Sequence, residues 1–313
     1  MSAVVSSKAR SSSLSSLWRN AFVRRLLRAP AAAIAFAVLI ILALSAIFAP
    51  WLARTNPYDL AALDLLDSHL PPAFVEGGDP RYWLGTDSQG ADLVSLILYG
   101  LRSSLLVGIC AVSLSVTLGT IAGLASGYLG RWVDGIIMRI ADIQFTFPAM
   151  LLALLIGGIS QSLLSNEMRA TLAMPIVILA LGISHWPHFA RLVRGAVLVE
   201  RQKDYVAAAR LVGRGPVFIM GVQLLPNVLN PIFVLATLDI AFAIMSEATL
   251  SFLGFGMPST QPSLGTLIRI GYGYLFSGEW WVVIFPGLTL VLILVSINIF
   301  GDWLRDLLDP KLR

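Results

Sequence analysis

Charge is scarce in this sequence, and its absence from long stretches indicates the class of protein. Asp, Glu, Lys and Arg make up 13% of the 313 residues, against roughly 25% in a soluble domain. The stretches without a charged residue are 29–53, 103–130, 143–166, 170–190 and 280–301, and a sixth, 215–238, continues through two acidic residues to about 254. A helix needs about 20 apolar residues to cross the hydrocarbon core of a bilayer. The runs therefore predict six transmembrane helices.

Two further absences narrow the fold. The runs lack the alternation of polar and apolar residues, over about 10 residues, that is typical of a strand in a membrane β-barrel. Cys110 is the only cysteine, which excludes an intrachain disulfide. We therefore expect an all-α membrane protein whose six helices form a bundle.

Sequence signatures of catalysis are also missing. The sequence has no Gly-Lys dipeptide, so it cannot form the phosphate-binding loop Gly-x-x-x-x-Gly-Lys-Ser/Thr. It has no Gly-x-Ser-x-Gly, the signature of a serine-hydrolase elbow. His185 and His188 lack a nearby cysteine or carboxylate and make a weak metal site, and His69 is an isolated loop residue. We expect no catalytic, cofactor-binding or metal site in this chain.

Basic residues are distributed unevenly, and this predicts the orientation. Segments 1–30 and 191–214 hold six Lys or Arg each, whereas 54–102 holds three basic and seven acidic residues. The positive-inside rule then places both termini and the 191–214 linker in the cytoplasm. The predicted organisation is a basic N-terminal segment (1–30), a first transmembrane helix (31–53), an extracytoplasmic loop (54–102), a five-helix core (103–304) with a cytoplasmic loop at 200–222, and a cytoplasmic tail (305–313). Basic stripes interleaved with aromatics are absent, so we expect lipid and protein partners but no nucleic acid.

The cytoplasmic linker carries the most informative motif, DYVAAARLVGRGPVFIMGVQLLPN at 204–227. Asp204, Tyr205 and Ala208 fall at helical spacing, and the neighbouring alanines allow another backbone to approach. Gly213 accepts the left-handed turn that ends a helix, and Pro226 follows inside the next apolar run. These residues alone leave two readings open: a helix bound by another protein, or an interfacial helix lying on the inner leaflet.

The linker resembles the EAA loop of ABC importer permeases. Asp204 stands at the acidic position, Ala208 and Ala209 at the alanines, Gly213 at the glycine and Pro226 at the proline. Four more segments resemble the second permease subunit of dipeptide, oligopeptide and nickel importers: 84–108, 127–143, 247–258 and 301–310.

Some positions depart from that family. It usually has Glu where Asp204 stands, and often His at the position of Gln223. A frequent Gly-Arg-Asp is Gly-Ala-Asp at 90–92, and a frequent Trp is Leu264. These differences weaken any transfer of substrate identity but leave the expected coupling role intact.

The resemblance implies a type I ABC importer permease fold in a bacterial inner membrane, with 204–213, including Tyr205, as a cytoplasmic coupling helix. The implied partners are a homologous permease that forms a heterodimer with this chain, two cytoplasmic ATPases that bind ATP and Mg, and an extracytoplasmic binding protein. The chain itself would be a transport subunit and not an enzyme. Di- or oligopeptides are the expected cargo by their prevalence in the family; no residue identifies them. We call residues 200–222 the coupling segment.

Three glycines, Gly119, Gly123 and Gly127, lie on one face of a predicted helix. Such spacing permits close approach of helices in lipid. We expect a packing role, inside the subunit or against a partner, with a place along the transport pathway as the alternative.

Acidic residues inside the membrane are the last candidates. A carboxylate at the bilayer centre costs about 2.5–3.5 kcal/mol, so Asp239 and Glu247 are expected to face protein or water. Either could contact cargo or gate the pathway, or make a structural hydrogen bond, which the family resemblance favours for Glu247. Asp142 lies one helical turn after Arg139, its expected ion-pair partner. The alternative function that these acids suggest is a proton-coupled secondary transporter using Asp239, Glu247 or Asp142.

Overall fold

The computed structural model describes residues 24–308 apart from 58 and 60–62. Segments 1–23 and 309–313, which include most of the predicted N-terminal segment and tail, lie outside the described residues. The described part is almost entirely helical, and its one β interaction is an isolated bridge between Thr86 and Asp92. The helices are α1 (Pro30–Ile47), α2 (Ala49–Leu52), α3 (Leu93–Leu129), α4 (Arg131–Thr146), α5 (Ala149–Leu163), α6 (Asn166–Glu200), α7 (Asp204–Leu211), α8 (Pro216–Phe218), α9 (Leu225–Phe252), α10 (Leu264–Tyr274) and α11 (Trp281–Leu308).

Five helical stretches are long and apolar enough to span a membrane: α1, α3, α6, the stretch from α8 through α9, and α11. Helices α4 and α5 are bent by 83° at a short break, and together they supply a sixth span if counted as one. The bend falls at Pro148, which precedes α5 and cannot donate a backbone hydrogen bond. The predicted run 143–166 is therefore a broken element.

Two helices extend beyond the runs without charge. Helix α3 begins at Leu93 and not at 103, because the Asp92 side chain accepts the Ser95 backbone N–H at 2.9 Å and caps the helix there. Helix α11 continues past 304 to Leu308. With 37 residues, α3 is about 55 Å long, well above the roughly 30 Å of a hydrocarbon core. Its ends therefore project beyond the membrane.

The three spaced glycines bring α3 against α6 within this subunit. A Cβ added at Gly119 would lie 2.4 Å from Cβ of Phe189, and one at Gly123 would lie 2.7 Å from the Ala190 carbonyl oxygen. One at Gly127 would lie 2.8 Å from Cβ of Val197. Because these distances are below any normal contact, a side chain at these positions would force the two helices apart.

The segment between α2 and α3 folds over one end of the bundle. The Trp281 indole N–H donates to the Thr86 carbonyl oxygen at 3.1 Å, which joins this segment to the start of α11. Arg81 pairs with Asp67 at 2.9 Å and with Asp79 at 2.7 Å. Hydrogen bonding from Arg81 lowers the pKa of Asp79. The segment is thus a small, tied cap rather than a separate domain.

Candidate functional site

Helix α7 is the centre of the coupling segment, and its two faces differ. Val206 is fully buried and Ala209 is 6% exposed; both pack with Ile219, Leu224 and Val197 in one apolar cluster. These buried positions are three residues apart, so they lie on the same helix face. That face attaches α7 to the ends of α6 and α9.

The opposite face of α7 has no partner among the described residues of this chain. Leu211 is 90% exposed and Val212 is 77% exposed, and Asp204 and Ala208 are exposed with them. We call these four residues the outer face of the coupling segment. The two alanines of the motif therefore divide: Ala208 lies on the outer face, and Ala209 packs inward.

Gly213 ends α7 in a Schellman motif. The Arg214 N–H donates to the Ala209 carbonyl oxygen at 3.1 Å, and the Gly213 N–H donates to the Arg210 carbonyl oxygen at 3.0 Å. Gly213 has φ +79°, yet an added Cβ would meet nothing within 4 Å. The backbone conformation, not a shortage of space, therefore selects glycine here.

Tyr205 connects three elements. Its hydroxyl donates to Glu200 Oε2 at 2.7 Å, and Asn227 Nδ2 donates to the Tyr205 hydroxyl oxygen at 3.2 Å. Glu200 also pairs with Lys203 at 2.6 Å. Burial and the hydrogen bond to Glu200 raise the pKa of Tyr205 to about 12. The end of α6, the start of α7 and the start of α9 are thus joined through one phenol.

Sequence reasoning missed Glu200 and Asn227 as parts of this connection. Glu200 is visible as an acid three residues before Lys203, a helical spacing. Asn227 lies 22 residues from Tyr205, and nothing in the sequence pairs them. Two arginines add contacts to α3: Arg201 Nη1 donates to the Gly127 carbonyl oxygen at 2.8 Å, and Arg210 lies 5.1 Å from the centre of the Tyr128 ring.

Pro226 follows an irregular turn. Residues Ile219–Leu224 form a π-helix, and the Leu225 N–H donates to the Met220 carbonyl oxygen. Pro226 itself is exposed at the start of α9 and has no N–H to donate. A wide turn of this kind is a place where a helix changes direction. The coupling segment therefore enters the membrane through a non-uniform helix.

Among the intramembrane acids, Glu247 lies in a closed hydrogen-bonded network. It is fully buried, and it accepts hydrogen bonds from Ser104 Oγ at 2.8 Å and Ser251 Oγ at 2.7 Å. These hydroxyls in turn accept backbone N–H groups: Ser104 from Leu264 at 3.3 Å and Ser251 from Met257 at 2.9 Å. Glu247 thus holds α3, α9 and the start of α10 together.

Asp239 and Asp142 have different surroundings. Asp239 Oδ1 lies 2.8 Å from His185 Nδ1, while its buried Oδ2 has no hydrogen-bond partner among the described residues. Asp142 pairs with Arg191 of α6 at 2.5 Å, so the expected pairing with Arg139 was wrong. Arg191 also lies 4.0 Å from the centre of the Phe145 ring, which fixes it beside α4. The three acids do not form one cluster.

The histidines have protein partners. His185 contacts Asp239, His188 meets the Phe145 ring edge-on, and His69 pairs with Glu279 at 2.8 Å. Within the described residues, no group of three or more His, Cys, Asp or Glu side chains could hold a metal ion.

A membrane bundle with a bent span and a helical linker that has one packed and one outward face defines a multi-pass membrane protein, and comparisons with known proteins identify its family. Residues 115–313 match the family described as "Binding-protein-dependent transport system inner membrane component", and residues 16–72 match "N-terminal TM domain of oligopeptide transport permease C". The chain belongs to the family of binding-protein-dependent transport system inner membrane components.

Curated relatives agree with this assignment. The chain is 40% identical over 275 residues to the dipeptide transport system permease protein DppC of Haemophilus influenzae, covering 88% of each protein. It is 41% identical over 282 residues to DppC of Escherichia coli, covering 90% of this chain and 89% of that protein. It is 39% identical to the di/tripeptide transport system permease protein DppC of Pseudomonas aeruginosa, covering 88% of this chain and 86% of the relative.

A solved structure confirms the fold. A chain of the inward-facing MetNI methionine ABC transporter aligns with TM-score 0.52 at 20% identity, over 68% of this chain and 96% of that chain. The protein is therefore the permease subunit of an ABC importer with the type I fold, a multi-pass protein of the bacterial inner membrane. It is not itself an enzyme, since ATP hydrolysis in such importers belongs to separate subunits. The proton-coupled alternative finds no support in these comparisons.

Proposed function

We propose that this permease carries di- or oligopeptides, together with a homologous but non-identical permease, two ATPases that bind ATP and Mg, and an extracytoplasmic binding protein. The cargo proposal is supported by the names of the relatives, which are dipeptide and di/tripeptide transport permeases. The distribution of basic residues supports a cytoplasmic location for both termini and for the coupling segment.

The outer face of the coupling segment is the observation that carries the assignment of an ATPase partner. Leu211 is 90% exposed and Val212 is 77% exposed, whereas Val206 and Ala209 on the inner face of the same helix are buried. Exposed apolar residues clustered on one surface indicate a binding site for another protein. A short helix with alanines on that surface fits a groove, because small side chains let a second backbone approach.

The inner face of the segment supplies the path for movement. A displacement of α7 acts on α6 and α9 through Val206 and through the Tyr205 connection to Glu200 and Asn227. ATP-driven closure shifts the bundle only if the ATPases bind the segment more tightly in one state than in the other. Moving an equilibrium from 1:99 to 99:1 takes about 5.5 kcal/mol of such difference.

Cysteine cross-linking tests this proposal directly, since Cys110 is the only native cysteine. In a Cys110→Ala chain, Leu211→Cys is expected to cross-link to a lysine of an ATPase subunit through a short maleimide–succinimidyl ester, and the yield should change with ATP. Leu66→Cys is a matched control, because Leu66 is 89% exposed in the predicted extracytoplasmic loop.

The same two cysteines also test orientation. In intact spheroplasts a membrane-impermeant maleimide should label Leu66→Cys and spare Leu211→Cys. Cross-linking of Leu211→Cys to no ATPase in a complex that transports would contradict the coupling assignment. Labelling of Leu211→Cys from outside would contradict the orientation.

A further inference from the structure

A cavity of about 300 Å³ lies between the end of α5, the start of α6 and the turn that follows α9. Two arginines line it, Arg169 of α6 and Arg269 of α10, and no aspartate or glutamate lies among its described lining residues. We propose that this cavity is a subsite for the terminal carboxylate of a peptide in transit, with Arg269 and Arg169 as its ligands. This inference rests on the proposed peptide cargo.

The first argument is charge. Arg269 is the only basic residue in 255–279, and the neighbouring outer segment 54–102 holds seven acidic and three basic residues. Neither Arg169 nor Arg269 takes part in an ion pair among the described side chains. Two guanidinium groups in one cavity repel each other unless an anion joins them. The cavity therefore favours a negatively charged ligand.

The second argument is position. Gln161 Nε2 donates to the Gly254 carbonyl oxygen at 2.6 Å, which ties α5 to the turn after α9. The Arg269 guanidinium lies over that turn, since a Cβ added at Gly254 would be 3.7 Å from Arg269 Nη1. Arg169 Nε donates to the Leu164 carbonyl oxygen at 2.9 Å, which orients its guanidinium. Arg169 is thus oriented by a backbone hydrogen bond, and Arg269 lies beside the turn at Gly254.

The third argument is shape and wall chemistry. Ligand pockets usually measure about 300–1,000 Å³, so this cavity accepts a residue-sized group rather than a whole peptide. Apolar side chains such as Ile176 and Met257 complete the wall. A planar carboxylate suits the fork of a guanidinium, and an apolar wall suits the side chain beside it. A C-terminal residue of a peptide offers both.

Photolabelling tests the ligand chemistry. The probe is Ala-Ala-p-benzoylphenylalanine, as free acid and as C-terminal amide, added to the assembled importer in nanodiscs. The free acid should label 160–177 or 254–269 about tenfold more than the amide, the scale expected for one charged hydrogen-bonded contact. Arg269→Gln should lower acid labelling to the level of the amide, and Arg269→Lys should restore part of it.

The matched control is Arg102→Gln, an exposed arginine of α3 that does not line the cavity. It should leave the ratio of acid to amide labelling unchanged. Equal labelling by acid and amide, or an equal loss in Arg102→Gln, would overturn the proposal. If Arg269→Gln does not assemble, Arg169→Gln is judged by the same ratio.

Uptake by proteoliposomes separates the cargo from a second source of carboxylates, the acidic side chains of the binding protein. Reduced tripeptide uptake in Arg269→Gln, with unchanged affinity of the loaded binding protein for the complex, supports the subsite. A parallel loss of that affinity assigns the carboxylates to the binding protein and overturns it. Undiminished uptake in the variant overturns the subsite alone, whereas an unmodified importer that moves no peptide overturns the proposed cargo and the subsite together.

Discussion

The two ends of the α8–α9 span carry glycines with the same backbone conformation but with different surroundings. Before the span, Gly213 ends α7 at φ +79°; after it, Gly254 ends α9 at φ +86°. Both make the same pair of backbone bonds: at Gly254, the Phe255 N–H reaches the Leu250 carbonyl oxygen at 2.9 Å and the Gly254 N–H reaches that of Ser251 at 3.1 Å. The local sequence chemistry is therefore equivalent at the two ends.

The surroundings of the two turns separate them. An added Cβ at Gly213 meets nothing within 4 Å, and Leu211 beside it is 90% exposed. Past Gly254 the chain closes on itself through Glu247 and its serines, and a Cβ added at Gly265 would lie 2.2 Å from the Ala248 carbonyl oxygen. One end is completed within this chain, whereas the other leaves apolar side chains exposed. We call the Gly254 end the closed end and the Gly213 end the open end. Substitutions at the closed end should act on folding, and substitutions at the open end on the coupling of ATP hydrolysis to uptake.

The largest effect is expected at Gly265. Gly265→Ala places a methyl group against backbone of α9 that cannot rotate away, so α10 must shift and the Glu247 network with it. We expect the free energy of unfolding to fall by about 3 kcal/mol or more, the scale of strong overpacking. Fluorescence size-exclusion chromatography should show this as a loss of detergent-stable protein.

Gly273→Ala is the control for this effect, because it lies on the same helix with nothing within 4 Å of an added Cβ. Replacing that glycine should stabilise α10 by up to about 1 kcal/mol. Equal behaviour of the two variants would remove the contrast between the closed end and the open end.

Much of the fold could be predicted from the sequence, because lipid imposes a length and an apolar composition on each span. The runs 29–53 and 280–301 correspond to α1 and to most of α11. The start of α3 could not be read from charge alone: Arg102 interrupts the run, but it lies exposed on a helix that Asp92 caps ten residues earlier. The 83° break between α4 and α5 falls at Pro148, which the sequence shows but a hydropathy pattern does not.

The site was predictable where the backbone dictates the residue. Gly213 follows from the need for positive φ at a helix end, and the motif spacing places Asp204 and Ala208 on one surface. The partner of Asp142 was missed because Arg191 lies 49 residues away and arrives only through the packing of α6 against α4. Tertiary contacts of this kind leave no local periodicity.

The second prediction addresses the open end. Gly213→Val forces a β-branched residue into a left-handed conformation, at a cost of about 1–3 kcal/mol, while space around it remains free. The importer should assemble, but uptake per ATP hydrolysed should fall about tenfold, the factor that corresponds to about 1.4 kcal/mol of lost coupling.

Gly215→Ala provides the comparison for Gly213→Val. Gly215 has φ −70°, and an added Cβ there meets nothing within 4 Å, so alanine fits without strain. Measured as labelled-peptide uptake against phosphate release in proteoliposomes, the ratio should stay normal in this variant. An unchanged ratio of uptake to phosphate release in Gly213→Val would show that the conformation of this turn does not couple ATP hydrolysis to transport.

The smallest effect is expected at Tyr205, whose hydroxyl joins α7 at the open end to Glu200 of α6 and Asn227 of α9. Tyr205→Phe removes one hydroxyl shared by Glu200 and Asn227. We therefore expect the free energy of unfolding to fall by about 1 kcal/mol, and uptake per ATP hydrolysed to fall slightly. Because the pKa of Tyr205 is raised from 10.0 to about 12, the neutral phenol is favoured in the folded chain. Its contribution is present below about pH 10 and is lost as the pH rises toward 12.

Thermal unfolding in nanodiscs across that range, combined with absorbance titration of tyrosinate, measures this contribution as the difference between the unmodified chain and Tyr205→Phe. The unmodified chain should lose stability faster than the variant above pH 10, because only it carries the phenol that must ionise. A parallel decline of the two proteins would mean that the tie through Glu200 and Asn227 contributes nothing. Helix α7 would then be attached to the bundle by the apolar contacts of Val206 and Ala209 and by the contact of Arg210 with Tyr128.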